Sequence, residues 1–248
     1  MEIQQPLIEQ SPTSRWRGRD FALVMIAGLV VGGAMYLAGL ALGWNDETLL
    51  VTSAFGQYAG HIGALVALAG RRGGSTSLGF AVSPSDVWYV GAGLLLQVTL
   101  PLLFLPLANL AGDSDAGQVV SDQIQQLGGL GSRIAMAVAV GVLAPATEEL
   151  MFRGVLLKAL GGFGRRMAIS ISALVFVGFH LFGLSGDLLR GALLIVPTFF
   201  LMGVILAWVT LRRDRLGPAI FIHSGFNLLA LLILLMPAEL IDRLLESQ

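Results

Sequence analysis

Two adjacent glutamates, Glu148 and Glu149, lie inside a long apolar stretch and are followed by Arg153. A charged side chain at bilayer depth costs about 2.5–3.5 kcal/mol on insertion scales. A chain therefore retains one where it is paired, faces a polar cavity or performs chemistry. Two later apolar stretches carry one histidine each, His180 and His223, and Asn227 follows the second by four residues. These groups suit the activation of water. A carboxylate and an imidazole can take the proton of a water as it attacks a carbonyl, then return it to the leaving amine. Imidazole and amide N–H groups can hold the oxyanion that develops. The same side chains can bind a divalent metal, with zinc the ordinary partner of His nitrogen and carboxylate oxygen. Glu148, His180 and His223 are the candidate ligands. No H-E-x-x-H occurs, so the usual zinc-protease helix is absent. Two histidines with glutamates form a sparse ligand set. Metal-free chemistry is the expectation and a zinc cofactor the alternative.

Spacing within the helices refines this picture. Glu149 and Arg153 are i,i+4 and are expected to pair, leaving Glu148, about 100° around the helix, free. His223 and Asn227 are also i,i+4 and can aim at one point. Pro145 is expected to kink its span and free backbone carbonyls toward a cavity. Gly178 and Gly225, beside the histidines, are expected to admit close approach of a neighbouring chain.

The elements that must position these residues are membrane helices. Of the 248 residues, 55% are hydrophobic and 12% charged, and mean hydropathy is +0.80. Soluble domains carry about 25% charged residues, so a soluble globular fold is excluded. The fold class is an all-α membrane protein, a polytopic helical bundle of about seven spans: roughly 21–43, 49–69, 87–111, 132–158, 167–184, 189–211 and 216–236. The third, interrupted by Pro101 and Pro106, is the least regular. Residues 1–20 read as a disordered cytoplasmic tail and 21–248 as a single membrane domain, with the chemistry in about 132–236. There are no cysteines, which removes disulfides and thiolate chemistry.

Eleven of the fifteen Lys and Arg residues fall on one side if the spans alternate. They are Arg15, Arg17, Arg19, Arg71, Arg72, Lys158, Arg165, Arg166, Arg212, Arg213 and Arg215. The positive-inside rule then places the N-terminus in the cytoplasm and the C-terminus on the opposite face. At 1.5 Å per residue, Glu148, His180 and His223 lie about 15, 20 and 10 Å from the basic ends of their spans. Three helices thus bring rare polar groups to one layer, toward the cytoplasmic half. Gly28, Gly32, Gly39 and Gly43 suggest a small-residue packing face. His61, outside any motif, reads as a packing residue.

Glu148-Glu149-Leu-Met-Phe-Arg153 fits E-E-x-x-x-R, Phe176-Val-Gly-Phe-His180 fits F-x-x-x-H, and His223-Ser-Gly-Phe-Asn227 fits H-x-x-x-N. In this order, on successive late spans, they resemble the motifs of the CPBP family of intramembrane proteases, the CAAX-protease and bacteriocin-processing (Abi) family. The resemblance implies that Glu148 and His180 activate water, that His223 and Asn227 form the oxyanion hole, and that Glu149 and Arg153 support the site. It also implies a peptide or protein substrate, lipidated or embedded in the membrane, with lipids as the other partners and no nucleic acid. Members are labelled metalloproteases, and a metal-free glutamate mechanism is also proposed for them.

Two other functions compete. A proton-coupled transporter also uses intramembrane Glu and His, but should show paired half-repeats around its site. Here the polar groups cluster in the last four spans. A non-catalytic scaffold or immunity protein of the same family would be expected to lose a motif residue, and all are present.

Overall fold

The computed structural model describes residues 16–110, 116–186 and 188–235. Helices α1 (Gly18–Ala41), α2 (Asp46–Arg72) and α3 (Tyr89–Asn109) come first. A short strand β1 (Ala116–Gln118) then leads into α4 (Val119–Gln125). A composite span follows, built of α5 (Leu130–Val138), α6 (Ala144–Glu149) and α7 (Leu157–Ala159). Its pieces are joined by π-helical turns at Ala139–Leu143 and Leu150–Leu156. The chain continues through α8 (Arg165–Leu181), strand β2 (Leu184–Gly186), α9 (Leu188–Arg213) and α10 (Gly217–Leu234).

Among the described residues, six helical stretches are long and apolar enough to cross a membrane. The remaining expected span, 167–184, is α8, whose 17 residues sit at the short end of the roughly 17–25 needed to cross. The third span is one helix despite Pro101 and Pro106. To the helical bundle the structure adds a three-residue antiparallel ladder, β1 with β2. The expected tail of residues 1–20 ends sooner than the composition suggests. Trp16 and Asp20 are buried and α1 begins at Gly18, while residues 1–15 lie outside those described, as does the segment after Leu235.

Hydrogen bonds between loops sort the connections onto two faces. On the basic face, Trp16 Nε1 and Lys158 Nζ both donate to the Ser77 carbonyl, at 3.0 and 2.8 Å. Arg72 pairs with Asp20 at 2.8 Å and Arg215 with Asp86. The Leu216 and Gly217 N–H groups donate to the carbonyls of Gly79 and Ala81. On the other face, Glu47 accepts from the N–H groups of Gly128 and Gly129 and from the Ser132 hydroxyl. The β1–β2 ladder joins the loop after α3 to the loop after α8. These ties are those of an alternating path in which α8 crosses.

Packing concentrates on the late spans. The composite span and α10 are the most buried of the six long stretches. Leu23, Ile26, Leu29, Val30 and Leu37 of α1 are exposed and form a lipid-facing surface. Helices α1 and α2 meet through glycines: Gly28 lies against His61 and Gly32 against Gln57 and Ser53. His61 is therefore a buried packing residue, as expected. Gly43 belongs to a turn, with φ of 71°, and not to the small-residue face. Helices α3 and α10 meet at Gly93 and Gly225, each lying directly against backbone of the other helix. Gly178, by contrast, faces open space, so the expected close approach beside His180 is absent.

The crossing of α8 is the shortest and the most open to test. Because the chain lacks cysteine, Gly162→Cys and Phe182→Cys can be introduced singly. A membrane-impermeant thiol reagent should label them from opposite sides of sealed vesicles. Labelling from one side only would make α8 a re-entrant helix.

Candidate active site

The glutamates sit on α6, a helical segment of Ala144–Glu149 between two π-helical turns. A π-turn inserts one residue into the i→i+4 ladder and is frequent at functional sites. The first turn has a visible cause. The Ala144 N–H donates to Ala139 O, so the next carbonyl in that ladder, Val140 O, would need an N–H from position 145. Proline has none. Asn227 of α10 supplies it, with Nδ2 donating to Val140 O at 2.9 Å. Pro145 thus frees a carbonyl, as the sequence suggests, and a side chain from another helix satisfies it.

Glu149 and Arg153 are both 0% exposed and paired, Nη1 to Oε1 at 2.9 Å. Arg153 Nη2 also donates to Gly203 O of α9 at 3.1 Å, and its guanidinium stacks 4.7 Å from the Phe176 ring centroid. The same Glu149 Oε1 lies 2.9 Å from His223 Nδ1. A carboxylate already paired with arginine is an acceptor, so His223 Nδ1 carries the proton and donates. The role of Glu149 as orienter of His223 was not legible in sequence. The two are 74 residues apart, and only the fold joins them.

Glu148 and His180 behave differently, keeping side-chain exposures of 13% and 14%. His180 Nδ1 donates to the Phe176 carbonyl of its own helix at 2.9 Å, because a carbonyl can only accept. In the neutral ring this leaves a lone pair on Nε2. Glu148 Oε2 lies 3.9 Å from His180 Nε2 and 3.9 Å from His223 Nε2, and it has no hydrogen-bond partner. Phe176, Phe179 and Phe199 surround the His180 ring with centroids at 4.4, 5.6 and 4.3 Å. The F-x-x-x-H phenylalanine therefore packs on His180 and also accepts the hydrogen bond of its Nδ1–H through the backbone carbonyl.

The structure thus brings Glu148, His180 and His223 to one point, with Glu149 and Arg153 behind them. Asn227 is one turn away and engaged with Val140. Helix α2, which carries no motif, packs against α6, and its Tyr58 stands within Coulombic reach of Glu148.

A metal is a poorer fit. Zinc bonds of about 2.0–2.1 Å in tetrahedral geometry place donor atoms roughly 3.4 Å apart. The separations of 3.9 Å exceed this. Among the described residues no three His, Cys, Asp or Glu side chains are grouped to hold an ion. A water hydrogen-bonded at about 2.8 Å to two of these atoms is compatible with the spacing.

Residues 130–229 match the family model described as type II CAAX prenyl endopeptidase Rce1-like. The matched stretch opens with the composite span and ends two residues beyond Asn227, so it contains every residue of the cluster. No curated protein and no solved structure matches the chain.

Burial separates the two glutamates in a measurable way. Arg153→Met would leave Glu149 buried without its cation, an expected loss of about 3–5 kcal/mol. Glu148→Gln removes no hydrogen bond and takes away a buried unpaired charge, so it should not destabilise the protein. Denaturant unfolding in mixed micelles would check this. Equal losses would show Glu148 to be structural.

Proposed function

We propose that this chain, which carries the CAAX-protease family match over residues 130–229 on a multi-pass membrane bundle, is an intramembrane endopeptidase. It hydrolyses a peptide bond of a C-a-a-X-type protein C-terminus near the cytoplasmic half of the bilayer, using a water activated by Glu148 and His180. The observation that carries this reading is the unpartnered Glu148 Oε2, 3.9 Å from the Nε2 atoms of both histidines.

A water in that gap meets a carboxylate oxygen and the His180 lone pair. Glu148 takes its proton while the oxygen attacks the scissile carbonyl carbon. The carbonyl π electrons move to oxygen. His223, protonated at Nε2 and steadied by the Glu149 carboxylate, donates to that oxyanion. Asn227 keeps one amide N–H beyond the bond to Val140 and serves the same charge. Collapse of the adduct breaks the C–N bond, and Glu148 returns the proton to the leaving amine. The Phe176 carbonyl keeps the His180 tautomer fixed throughout.

The basic face is assigned to the cytoplasm, with the N-terminus inside and the C-terminus outside. Glu148 is eleven residues from the Ala159 end of its span, about 16 Å, and His223 is six from Gly217, about 9 Å. His180, by contrast, is the penultimate residue of α8, so that helix reaches the site with its far end.

The test is cleavage of prenylated and unprenylated C-a-a-X peptides by purified protein in lipid. Glu148→Ala and His180→Ala should each lower turnover by about 10²–10⁴-fold while the protein still inserts. Near-normal turnover in either would refute the assignment.

Metal dependence is read on the same assay. Activity should persist after chelation, and Asn227→Ala should lower kcat by about 10²–10³-fold with KM little changed. A stoichiometric metal whose removal and return switch activity would replace the oxyanion role of His223 with ligation.

A further inference from the structure

A second polar cluster lies away from the catalytic groups, on the basic face where α8 begins and α9 ends. Arg165, Arg166 and Ile169 of α8, with Trp208 and Arg212 of α9, line a cavity of about 460 Å³. This is within the roughly 300–1,000 Å³ of small-ligand sites. Of the other cations of this face, Arg72 pairs with Asp20, Arg215 with Asp86 and Lys158 with the Ser77 carbonyl, while Arg19 and Arg71 stand exposed outside this cavity. Among the described residues, Arg165, Arg166 and Arg212 have no ion-pair or hydrogen-bond partner. Arg212 makes one aromatic contact, its guanidinium 5.4 Å from the Trp208 ring centroid. No carboxylate lines the cavity. Three unneutralised guanidinium groups around one concavity repel one another, and an anion relieves that repulsion.

We infer that this cavity binds the phosphate headgroup of an anionic phospholipid drawn from the leaflet on the basic face. Guanidinium groups grip phosphate oxygens through paired N–H donors. Helix α8 starts here without a side-chain cap, so its first N–H groups and the positive end of its dipole also favour an anion. Trp208, 45% exposed, is an indole of the kind that settles at headgroup level. With Ile169 it offers an apolar wall to the glycerol and upper acyl carbons. A free phosphate would satisfy the arginines but leave that wall uncovered. Basic pockets between membrane helices are suited to acidic headgroups. A lipid held there ties the start of α8 to the end of α9. The inference does not depend on the proposed hydrolysis.

The experiment compares lipid retention by native mass spectrometry after detergent exchange from bilayers holding equal phosphatidylglycerol and phosphatidylcholine. The parent protein should retain phosphatidylglycerol selectively. Each interfacial arginine contributes about fivefold to acidic-lipid affinity, so Arg165→Gln with Arg212→Gln should weaken retention about 25-fold. The matched pair Arg19→Gln with Arg71→Gln removes equal charge from the same face outside the cavity and should change little. Excess inorganic phosphate should not displace the lipid. Equal retention of both lipids, equal loss in both paired variants, or displacement by phosphate alone would each overturn the inference.

Discussion

A single buried carboxylate oxygen organises the centre of this molecule. Glu149 Oε1 accepts from Arg153 Nη1 and lies 2.9 Å from His223 Nδ1, joining the composite span to α10. The guanidinium it holds reaches on to the Gly203 carbonyl of α9. An ion in a medium without water is tolerated only when its partners are fixed and its remaining donors are used. That demand ties three helices together without being fully met, since Glu149 Oε2 and Arg153 Nε stay buried without a hydrogen-bond partner, as does Oε2 of the neighbouring Glu148. Glu149 is wholly buried and held by two partners, whereas Glu148 keeps 13% side-chain exposure and turns Oε2 toward two imidazoles. That division of labour follows from burial.

The backbone bends to accommodate it. Two π-helical turns within one span shift the phase of the side chains between them, so that Thr147, Glu149 and Arg153 point inward while Glu148 keeps partial access. The first turn needs a donor that Pro145 lacks, and Asn227 provides it. One amide therefore repairs a broken helix ladder and stands one turn from the oxyanion position assigned to His223.

Much of this was legible in the residues. The i,i+4 pair of Glu149 with Arg153, the free state of Glu148, the kink near Pro145 and the six long spans all follow from local spacing and apolar run length. The grouping of Glu148, His180 and His223 follows in part from depth, since all three lie about 10–20 Å from the basic ends of their helices. Three features were hidden for physical reasons. The bond from Glu149 to His223 is tertiary and leaves no periodic trace. The first π-turn depends on a side chain donated from α10, so the span's own sequence is read with the phase of a regular helix. The end of α8 was placed three residues late because Phe182, Gly183 and Leu184 are as apolar as a helix end, whereas the backbone there turns into β2. Gly178 resembled a contact glycine by its neighbour alone, and nothing packs on it.

The ties of α10 and α8 to the rest of the site are unequal. Helix α10 is fastened to the composite span at two points, His223 to Glu149 and Asn227 to Val140. Helix α8 has one long bond to that span, from the Ser172 hydroxyl to the Phe152 carbonyl at 3.4 Å, while His180 itself bonds only within its own helix and is flanked by phenylalanine rings. The site is therefore a vice with one fixed jaw and one sprung jaw. On the proposed hydrolysis, a substrate entering it would shift His180 relative to Glu148 more readily than His223, which is fastened to Glu149. Fit would then be sensed by the arm that prepares the water, and the arm that steadies the oxyanion would be the same for every substrate.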